Sequence, residues 1–585
     1  MKKLRFSILF ISAILLIGLI GAIPFLSEKE ALDPFEIVRK DDTSIRIRPY
    51  ERDGRLFCFL PSGMRAEDCR IAAEKDVRID GQALGEYDLS RFETGKEYTL
   101  QYRGKEYPLV FYQSENVPTM YLHTVQRDRE YLDSDKNHEL DVQVVLYDED
   151  GKLLVRNLKG NIRGRGNNSW NQEKKAYNLK FEEKTDLLEM GEAKKWALIA
   201  DASDPSHLNN KVVNEFASST GLEWTPECRY VDVYLNGSYH GLYLISERIE
   251  DDPERFVLDN GEVLLKRELT SRLASLNDGF LSELGNAIEV IEPESLTPTR
   301  KEETVSRVNE MEESLADLNS DRWQEEIDLD SWARCYLIDE LFDNLDAGIA
   351  SAYFSIQDDG KFYRGPIWDY DVLRWDVPRS IIAASPYRHP YSRNDYYYLL
   401  NQREEFRNRV RELLNSEFMP LIEGFCDHRI KEIDGEITQA RYLDSLRWNY
   451  TAAEDAESFA DYLKEKSGFL NEYLSDPKRY CIIQIQADSF YRSFITEKGK
   501  TIADAYDIDP SLYTGKEWID ADEGSDFDLQ RPIERDIRLD LKTEDTGESE
   551  TAYSWRDFGL FNLLFPVLTV LLMAYLIMKL RRNNG

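Results

Sequence analysis

Three aspartates occupy positions at which carboxylates can do chemistry. Asp369 and Asp371 lie two positions apart in the stretch GPIWDYD at 365–371, and Asp346 precedes Asp369 by 23 residues. Asp346 follows a helix predicted from apolar residues between 332 and 345, and a hairpin then brings Asp369 back towards it. Two carboxylates so placed can bind Mg²⁺ and orient a hydroxyl for phosphoryl transfer, and protein kinases have this order of catalytic loop, hairpin and metal-binding aspartate. The alternative is that Asp346 caps a turn while Asp369 and Asp371 face solvent.

A glycine-rich run lies upstream of these acids. In the stretch GNIRGRGNNSW, Gly164 and Gly166 would let backbone amides approach a phosphate, and Arg163 and Arg165 would add positive charge. Glycines more often mark an ordinary loop, so the run by itself leaves both interpretations open.

One lysine and one glutamate are predicted to point inward from strands. Lys175 shares the alternation of Tyr177 and Leu179, and Glu247 shares that of Ile245. A buried charge is costly unless it meets an opposite charge. The two side chains could therefore contact a nucleotide and its metal, or form a structural ion pair. Glycoside hydrolysis also uses paired carboxylates, but it does not need an inward lysine.

Strands and helices are both predicted around these residues. Asn236-Gly237 and Asp359-Gly360 each separate two alternating apolar runs, as in a hairpin. Ser206 is expected to cap a helix that ends near Ser219. Further helices are predicted at 305–318, 332–345, 403–414 and 458–474. Strands dominate the first half of residues 115–480 and helices the second, so we expect an α+β domain with two lobes.

Two further regions flank this domain. Residues 42–113 contain short alternating strands with turn residues between them, which predicts a small β-sandwich. Residues 497–550 are strongly acidic and poorly periodic, which predicts a partly disordered stalk. The six cysteines include no CxxC pair. Cys58 and Cys69 could form a local disulfide, or all six could be small buried side chains.

Uncharged apolar runs near both ends predict membrane anchorage. One lies in residues 1–27 after a basic start, and the other occupies 558–578 before the basic sequence KLRR. Each run is long enough to span a bilayer, and the flanking charges put both termini in the cytoplasm and the main domain outside it. The alternative is a cleaved signal peptide with one C-terminal span. The net charge of −36 argues against a nucleic-acid partner.

Four stretches together resemble the spore coat protein H (CotH) kinase family. They are RGRGNNSW…KKAYNLKF, KKWALIADASDPSHLNNKV, VDVYLNGSYHGLYLISERI and NLDAGIASAYFSIQDDGKFYRGPIWDYD, and the resemblance covers residues 115–480. The resemblance implies a divergent protein-kinase-like fold that transfers phosphate from ATP, with Mg²⁺ or Mn²⁺, to Ser or Thr of secreted or surface proteins.

The resemblance also implies roles for individual residues. Asp346 is similar to the catalytic-loop aspartate, Asp369 to the metal-binding aspartate, and Lys175 to the lysine that contacts the nucleotide phosphates. Trp368 would lie near the nucleotide. Asp371 could compensate for a weakened metal site.

Two positions depart from the family pattern. Ser351 stands where members usually carry an asparagine as a second metal ligand, and Asn209 stands where they usually carry an arginine. A hydroxyl is a weaker metal ligand than an amide carbonyl. The sequence therefore predicts a membrane-anchored atypical Ser/Thr kinase, and the alternative is a catalytically weak or inactive kinase-like scaffold for surface or coat assembly.

Overall fold

The computed structural model describes ten stretches of the chain. They are residues 32–73, 76–84, 89–124, 129–167, 169–259, 261–373, 377–387, 395–451, 456–487 and 490–542. These residues form several sheets and a large helical array, so the predicted α+β class is confirmed.

Nine short strands make up the N-terminal region. They are β1 (Phe35–Arg39), β2 (Arg46–Ile47), β3 (Tyr50–Arg52), β4 (Arg55–Leu60), β5 (Cys69–Ala73), β6 (Arg78–Ile79), β7 (Gln82–Ala83), β8 (Glu97–Tyr102) and β9 (Lys105–Gln113). The order β2-β1-β5 makes one sheet, and β3-β4-β9-β8-β6-β7 makes another. Alternate residues of β8 are buried, as expected of a strand with one face on a core. That core also includes Tyr234 and Tyr239 from the following region, so the two regions share packed side chains.

The next seven strands close into a barrel. They are β10 (Thr119–Thr124), β11 (Glu139–Tyr147), β12 (Leu153–Arg165), β13 (Ala176–Asp186), β14 (Glu192–Ile199), β15 (Cys228–Leu235) and β16 (Ser238–Glu247), in the order β10-β11-β12-β13-β14-β16-β15. The backbone φ is positive at both Asn236 (53°) and Gly237 (89°), so the predicted tight hairpin between β15 and β16 is confirmed. Large side chains such as Tyr177 and Trp196 fill the interior.

Two short helices lie in the barrel connections. They are α1 (Arg129–Ser134) and α2 (Asn209–Ser218). Helix α2 ends close to the predicted Ser219, but Ser206 does not cap it. The N-cap residue is Leu208, and the backbone N–H of Asn209, the first residue of the helix, donates to Asp204 Oδ2 at 2.9 Å.

A second sheet and a helical array follow the barrel. The sheet consists of β17 (Val263–Glu268), β18 (Phe280–Leu281), β19 (Ala287–Glu292), β20 (Ala352–Ile356) and β21 (Phe362–Arg364), in the order β18-β19-β17-β20-β21. The helices are α3 (Pro298–Ala316), α4 (Trp323–Glu326), α5 (Leu329–Leu341), α6 (Tyr396–Asn401), α7 (Glu404–Leu413), α8 (Met419–Gly424), α9 (Ile430–Trp448) and α10 (Ala456–Ser475). Two π-helical segments, Leu414–Phe418 and Phe425–Arg429, join α7, α8 and α9.

Helix α5 and the β20–β21 hairpin lead to the candidate acids. The Asp328 side chain caps α5 by accepting the backbone N–H of Ser331 at 2.7 Å. The helix ends at Leu341, before the predicted end at residue 345. The φ of Gly360 is 80° between the paired strands, so the predicted second hairpin is confirmed.

The acidic-stalk interpretation of residues 497–550 is wrong for the part that the structure describes. A five-stranded sheet, which we call the C-terminal sheet, begins before this region and takes its last three strands from it: β22 (Tyr480–Ala487), β23 (Phe490–Glu497), β24 (Trp518–Asp520), β25 (Ser525–Phe527) and β26 (Ile537–Leu541), in the order β23-β22-β26-β24-β25. Its core includes Trp518 and Phe527. These apolar residues lie in very short strands between acidic side chains, which conceals their periodicity. Arg535 neutralises part of that charge through contacts of 2.8 Å with Asp520 and Glu523.

Both predicted membrane spans, at 1–27 and 558–578, lie outside the described residues, as does the end of the predicted stalk at 543–550. Within the ten described stretches, no helix combines the length and the apolar character that a membrane crossing needs. All six cysteines are buried free thiols, so the alternative of six small buried side chains is confirmed and the Cys58–Cys69 disulfide is not formed.

Candidate active site

A polar cavity of about 630 Å³ contains most of the predicted site residues. Its walls come from the ends of barrel strands, from the loop after α5 and from the segment after β21. The predicted residues that line it are Arg163, Gly164, Arg165, Gly166, Asp346, Ser351, Trp368, Asp369 and Asp371. Lys175 and Glu247 do not line it.

Asp369 and Ser351 are joined directly. The Ser351 hydroxyl donates a hydrogen bond of 2.9 Å to Asp369 Oδ2. Both residues have left-handed backbone conformations, with φ of 48° at Ser351 and 73° at Asp369. Such conformations are costly for residues other than glycine and often occur at functional sites. The hydroxyl therefore orients the carboxylate, whatever contact it could make with a metal.

Asp371 lies in a concentration of negative charge. Burial raises the pKa of Asp371 well above its usual range, and repulsion from Asp369 and Asp201 adds to that rise. Asp201 is only 4% exposed; among the described residues its Oδ2 accepts no hydrogen bond and lies 3.8 Å from His207 Nδ1, while its Oδ1 accepts a hydrogen bond from Asn210 Nδ2 at 2.8 Å. Asn210 also accepts the backbone N–H of Tyr370 at 3.0 Å, so it ties Asp201 to the segment between the two metal-site candidates.

These carboxylates fit a hard divalent cation. Three acids that repel one another at the edge of a polar cavity are stabilised when a cation neutralises them. No three His, Cys, Asp or Glu side chains of the described residues form a complete metal cluster. Mg²⁺ commonly binds through one or two carboxylates plus substrate phosphates and water, so Asp369 and Asp371 would be a sufficient protein contribution.

Two arginines face the same cavity without a direct ion pair to a described residue. Neither Arg165 nor Arg248 has an ion pair within 4.0 Å among the described residues. Burial lowers the pKa of both guanidinium groups; Asp369 and Asp371 oppose this at Arg165, while Arg165 itself reinforces it at Arg248. Arg165 also lies over the Trp368 ring, with its guanidinium carbon 5.3 Å from the ring centre. Arginines that are half-buried and unpaired favour the binding of an anion.

Asp346 is held in a short ordered turn after α5. Its backbone N–H donates to Asn344 Oδ1 at 3.0 Å, and its carbonyl accepts the N–H groups of Ile349 and Ala350. The turn is fixed from outside by Arg267, which donates to the Gly348 carbonyl at 3.0 Å. The half-buried Asp346 side chain lines the same cavity as Asp369, as the sequence predicts.

The predicted inward orientation of Lys175 is wrong. Lys175 lies just before β13, and its Nζ donates to the Trp170 carbonyl at 2.6 Å. Lys174 is the buried lysine, with its Nζ 2.9 Å from Asp444 Oδ1 and 2.5 Å from the Leu242 carbonyl. The alternation fails because it assumes that the strand already includes residue 175, whereas it begins at Ala176.

Glu247 is buried but faces away from the cavity. Its Oε2 accepts the backbone N–H of Glu227 at 2.8 Å, and its Oε1 lies 3.4 Å from Arg255. The structural ion pair expected as an alternative therefore forms, with Arg255 in place of Lys175. Burial raises the pKa of Glu247 to about 7.

The glycines of the RGRG run serve packing. A Cβ at Gly164 would lie 2.4 Å from the Trp170 ring, and one at Gly166 would lie 2.2 Å from Ser169 Oγ. The Lys136 ammonium donates to the Gly166 carbonyl at 3.3 Å and holds this turn against the barrel. The backbone thus lines the cavity in a fixed shape.

Sequence reasoning missed Asp201, Asn210 and Arg248. Arg248 follows Glu247 directly, so strand alternation places its side chain on the opposite face of the same strand end. That alternation could have identified Arg248. Asp201 comes just after the buried strand β14, where a polar side chain can reach a site at the strand end. Asn210 carried no such signal, because its role depends on a contact with Tyr370, 160 positions away.

The comparison with protein families agrees with these residues. The family described as CotH kinase protein matches residues 162–481, more than half of the 585-residue chain. The chain belongs to this family. The CotH kinase match begins just before Arg163 and includes every residue of the cavity named above except Lys136. It leaves out the nine N-terminal strands, barrel strands β10 and β11, most of β12 and nearly all of the C-terminal sheet. A search of curated proteins finds no match to the chain.

Proposed function

We propose that this chain is an atypical protein kinase that transfers phosphate from ATP to Ser or Thr of secreted or surface proteins. The observation that carries the proposal is the meeting of Asp346, Asp369, Asp371 and two unpaired arginines in one cavity. The barrel and the helical array would correspond to the two lobes of a divergent kinase. Membership of the CotH kinase family supports the same activity.

The residues of the cavity would divide the work by charge. Asp369 and Asp371 would hold Mg²⁺ or Mn²⁺, which supplies positive charge at the transferring phosphate when it is bound. Arg165 and Arg248 would neutralise phosphate oxygens, a role that the structure makes more suitable for them than for Lys175. Asp346 would orient the acceptor hydroxyl and accept its proton. Catalysis would then rest on positioning and charge neutralisation, without a covalent enzyme intermediate.

The remaining assignments concern the setting of the reaction. The apolar runs at 1–27 and 558–578 support two membrane spans, cytoplasmic termini and a main domain outside the cytoplasm. The acceptor would then be a secreted or surface protein, and ATP would have to reach an extracytoplasmic compartment.

A kinase-like scaffold without transfer activity is the second candidate. The observation that favours it is the hydrogen bond from Ser351 to Asp369, because a hydroxyl that donates to the carboxylate offers the metal less than an amide carbonyl does. A scaffold of this kind would bind partner proteins at a surface and would label none of them.

Phosphate transfer by the full-length protein tests the proposal. The protein is incubated with γ-labelled ATP, Mg²⁺ or Mn²⁺ and a mixture of Ser- and Thr-containing peptides, beside Asp346→Asn and Asp369→Asn variants. Asp359→Asn is the matched control, because Asp359 lies at the exposed turn of the same hairpin. We expect transfer by the wild type and the control, and at least about 100-fold slower transfer by the two site variants. Absence of transfer together with absence of nucleotide binding would refute the kinase proposal, and transfer that survives both site substitutions would refute the assigned residues.

A further inference from the structure

Residues 377–387 connect the candidate site to the C-terminal sheet. The segment begins six residues after Asp371, and its first residue, Val377, is 2% exposed. Val377 belongs to the same apolar core as Ile483 and Trp518 of the C-terminal sheet. The chain that leaves the site is therefore inserted into a different domain core.

Polar contacts fix the rest of this segment to the same domain. The Arg379 guanidinium lies 2.7 Å from Asp507, and the Tyr387 hydroxyl contacts Asp522 Oδ2 and the Asp536 carbonyl at 2.9 Å each. Ser493 of β23 donates to the Ile381 carbonyl at 3.3 Å. These contacts extend from Val377 to Tyr387, so the C-terminal sheet and its loops hold both ends of the segment; Arg379 also lies 3.3 Å from Glu465 of α10.

The opposite side of the segment contacts the end of helix α5. The two carboxylate oxygens of Glu340 accept the backbone N–H groups of Ile382 and Ala383, each at 2.9 Å. Lys466 Nζ, which is fully buried, bridges Glu340 Oε1 at 3.1 Å, Asp343 Oδ1 at 3.3 Å and the Ser380 carbonyl at 2.8 Å. The buried cluster of Glu340, Asp343 and Lys466 is neutralised and hydrogen-bonded, which makes it rigid. Removal of one member would leave a buried charge unpaired and would lower the stability of the protein.

Asp343 links this cluster to the catalytic turn. It lies three residues before Asp346, and Asn344 next to it lines the cavity and accepts the Asp346 N–H. A shift of residues 380–383 would therefore disturb the Glu340–Asp343–Lys466 cluster and, through it, the turn that holds Asp346. The same shift would pull on the chain that follows Asp371.

We propose that the C-terminal sheet is a positioning domain for the candidate active site. It holds residues 377–387 against the end of α5 and so fixes both the turn that carries Asp346 and the chain after Asp371. Arg379 and Tyr387 are positioning residues in this scheme and touch no substrate. The CotH kinase match ends at residue 481, so the sheet is an addition of this chain to the matched region. The expected effect on phosphate transfer rests on the proposed kinase function, whereas the expected effect on the order of the 343–351 turn does not.

The test uses the full-length protein with the double substitution Arg379→Met and Tyr387→Phe. Lys542→Met is the matched control, because Lys542 forms an ion pair of 2.9 Å with Asp526 inside the C-terminal sheet and makes no contact with residues 377–387. Hydrogen–deuterium exchange is measured over residues 377–387, over the turn at 343–351 and over barrel strand β13. We expect exchange at the Ile382 and Ala383 amides to rise about tenfold in the double variant, as for loss of one hydrogen bond to a charged acceptor. Exchange at 343–351 should rise with it, and β13 should not change.

Phosphate transfer supplies the second reading of the same variants. The double variant should lower kcat about tenfold while the KM for ATP changes less than threefold, since the arginines that contact phosphate are untouched. Unchanged exchange at both 377–387 and 343–351 in the double variant would overturn the positioning role. If exchange in β13 increases in the double variant, the single substitution Tyr387→Phe, which removes fewer contacts, takes its place. Absence of transfer in the wild type refutes the kinase proposal only, because the exchange measurement still decides whether the sheet positions the turn.

Discussion

Replacement of Lys174 by methionine should destabilise the protein strongly, whereas the same change at Lys175 should not. Lys174 is 4% exposed and contacts Asp444 at 2.9 Å, and Asp444 is fully buried. Removal of one partner from a buried pair typically costs about 3–5 kcal/mol. Asp444 keeps a bond of 2.8 Å from the Leu242 N–H, so we expect a loss near the lower end, about 3 kcal/mol. Lys175 loses only a half-buried contact with Trp170, which we expect to be worth less than about 1 kcal/mol.

The pH dependence gives this prediction a second test. Burial by itself would raise the pKa of Asp444, but the Lys174 ammonium and His207 lower it to about 2. The folded pKa lies below the unfolded value of about 3.9, so this stabilisation is present above pH 4 and is lost as the pH falls towards 2. The difference between wild type and Lys174→Met in urea unfolding should therefore narrow across that range. Equal stability of Lys174→Met and wild type at pH 7, with a large loss in Lys175→Met, would refute the assignment of the two lysines.

Three further substitutions test separate parts of the structure. Burial raises the pKa of Asp232 to about 7, so ionisation of this carboxyl lowers the stability of the protein as the pH rises from about 4 to 7. Asp232→Asn should therefore raise the free energy of unfolding by about 3 kcal/mol at pH 8 and change it little at pH 4. An equal gain at both pH values would contradict this. Ser351→Asn should keep the fold, since asparagine tolerates the left-handed φ of 48°. It should also tighten Mg²⁺-dependent nucleotide binding several-fold. Weaker binding would show that the hydrogen bond from the Ser351 hydroxyl to Asp369 contributes more to the site than an amide ligand would. Gly164→Ala should lower the free energy of unfolding by about 1–3 kcal/mol and change the tryptophan fluorescence, because the alanine Cβ would meet the Trp170 ring. An unchanged spectrum and an unchanged stability would contradict this packing.

The hairpins and the main acids could be predicted because local rules determine them. Asn236-Gly237 requires two positive φ values that few other pairs adopt, whereas the turn at Gly360 requires one, which glycine adopts readily. The predicted order of helix, hairpin and acid was sufficient to bring Asp346 and Asp369 to one cavity. Local pattern and tertiary structure agree in these elements, so sequence reasoning succeeds there.

The errors arise where the position of a side chain depends on a register shift of one residue or on a contact with a distant segment. The strand that follows the glycine-rich run begins at Ala176, and this exchanges the expected roles of Lys174 and Lys175. Asn210 acquires its role only when remote segments meet. The last three strands of the C-terminal sheet were missed because they are three to five residues long, and a period cannot be recognised over that length between acidic side chains.

Nucleotide binding by Arg248→Met tests the central claim most directly. The claim is that Arg248 and Arg165 contact phosphate oxygens of ATP while Asp369 holds the divalent cation. In a titration of the full-length protein with fluorescent ATP and Mg²⁺, the account predicts binding by the wild type, about tenfold or more weaker binding by Arg248→Met, and binding by the Lys542→Met control that equals the wild type. Binding by Arg248→Met as tight as that of the wild type, or binding by the wild type that does not respond to removal of Mg²⁺, would contradict it.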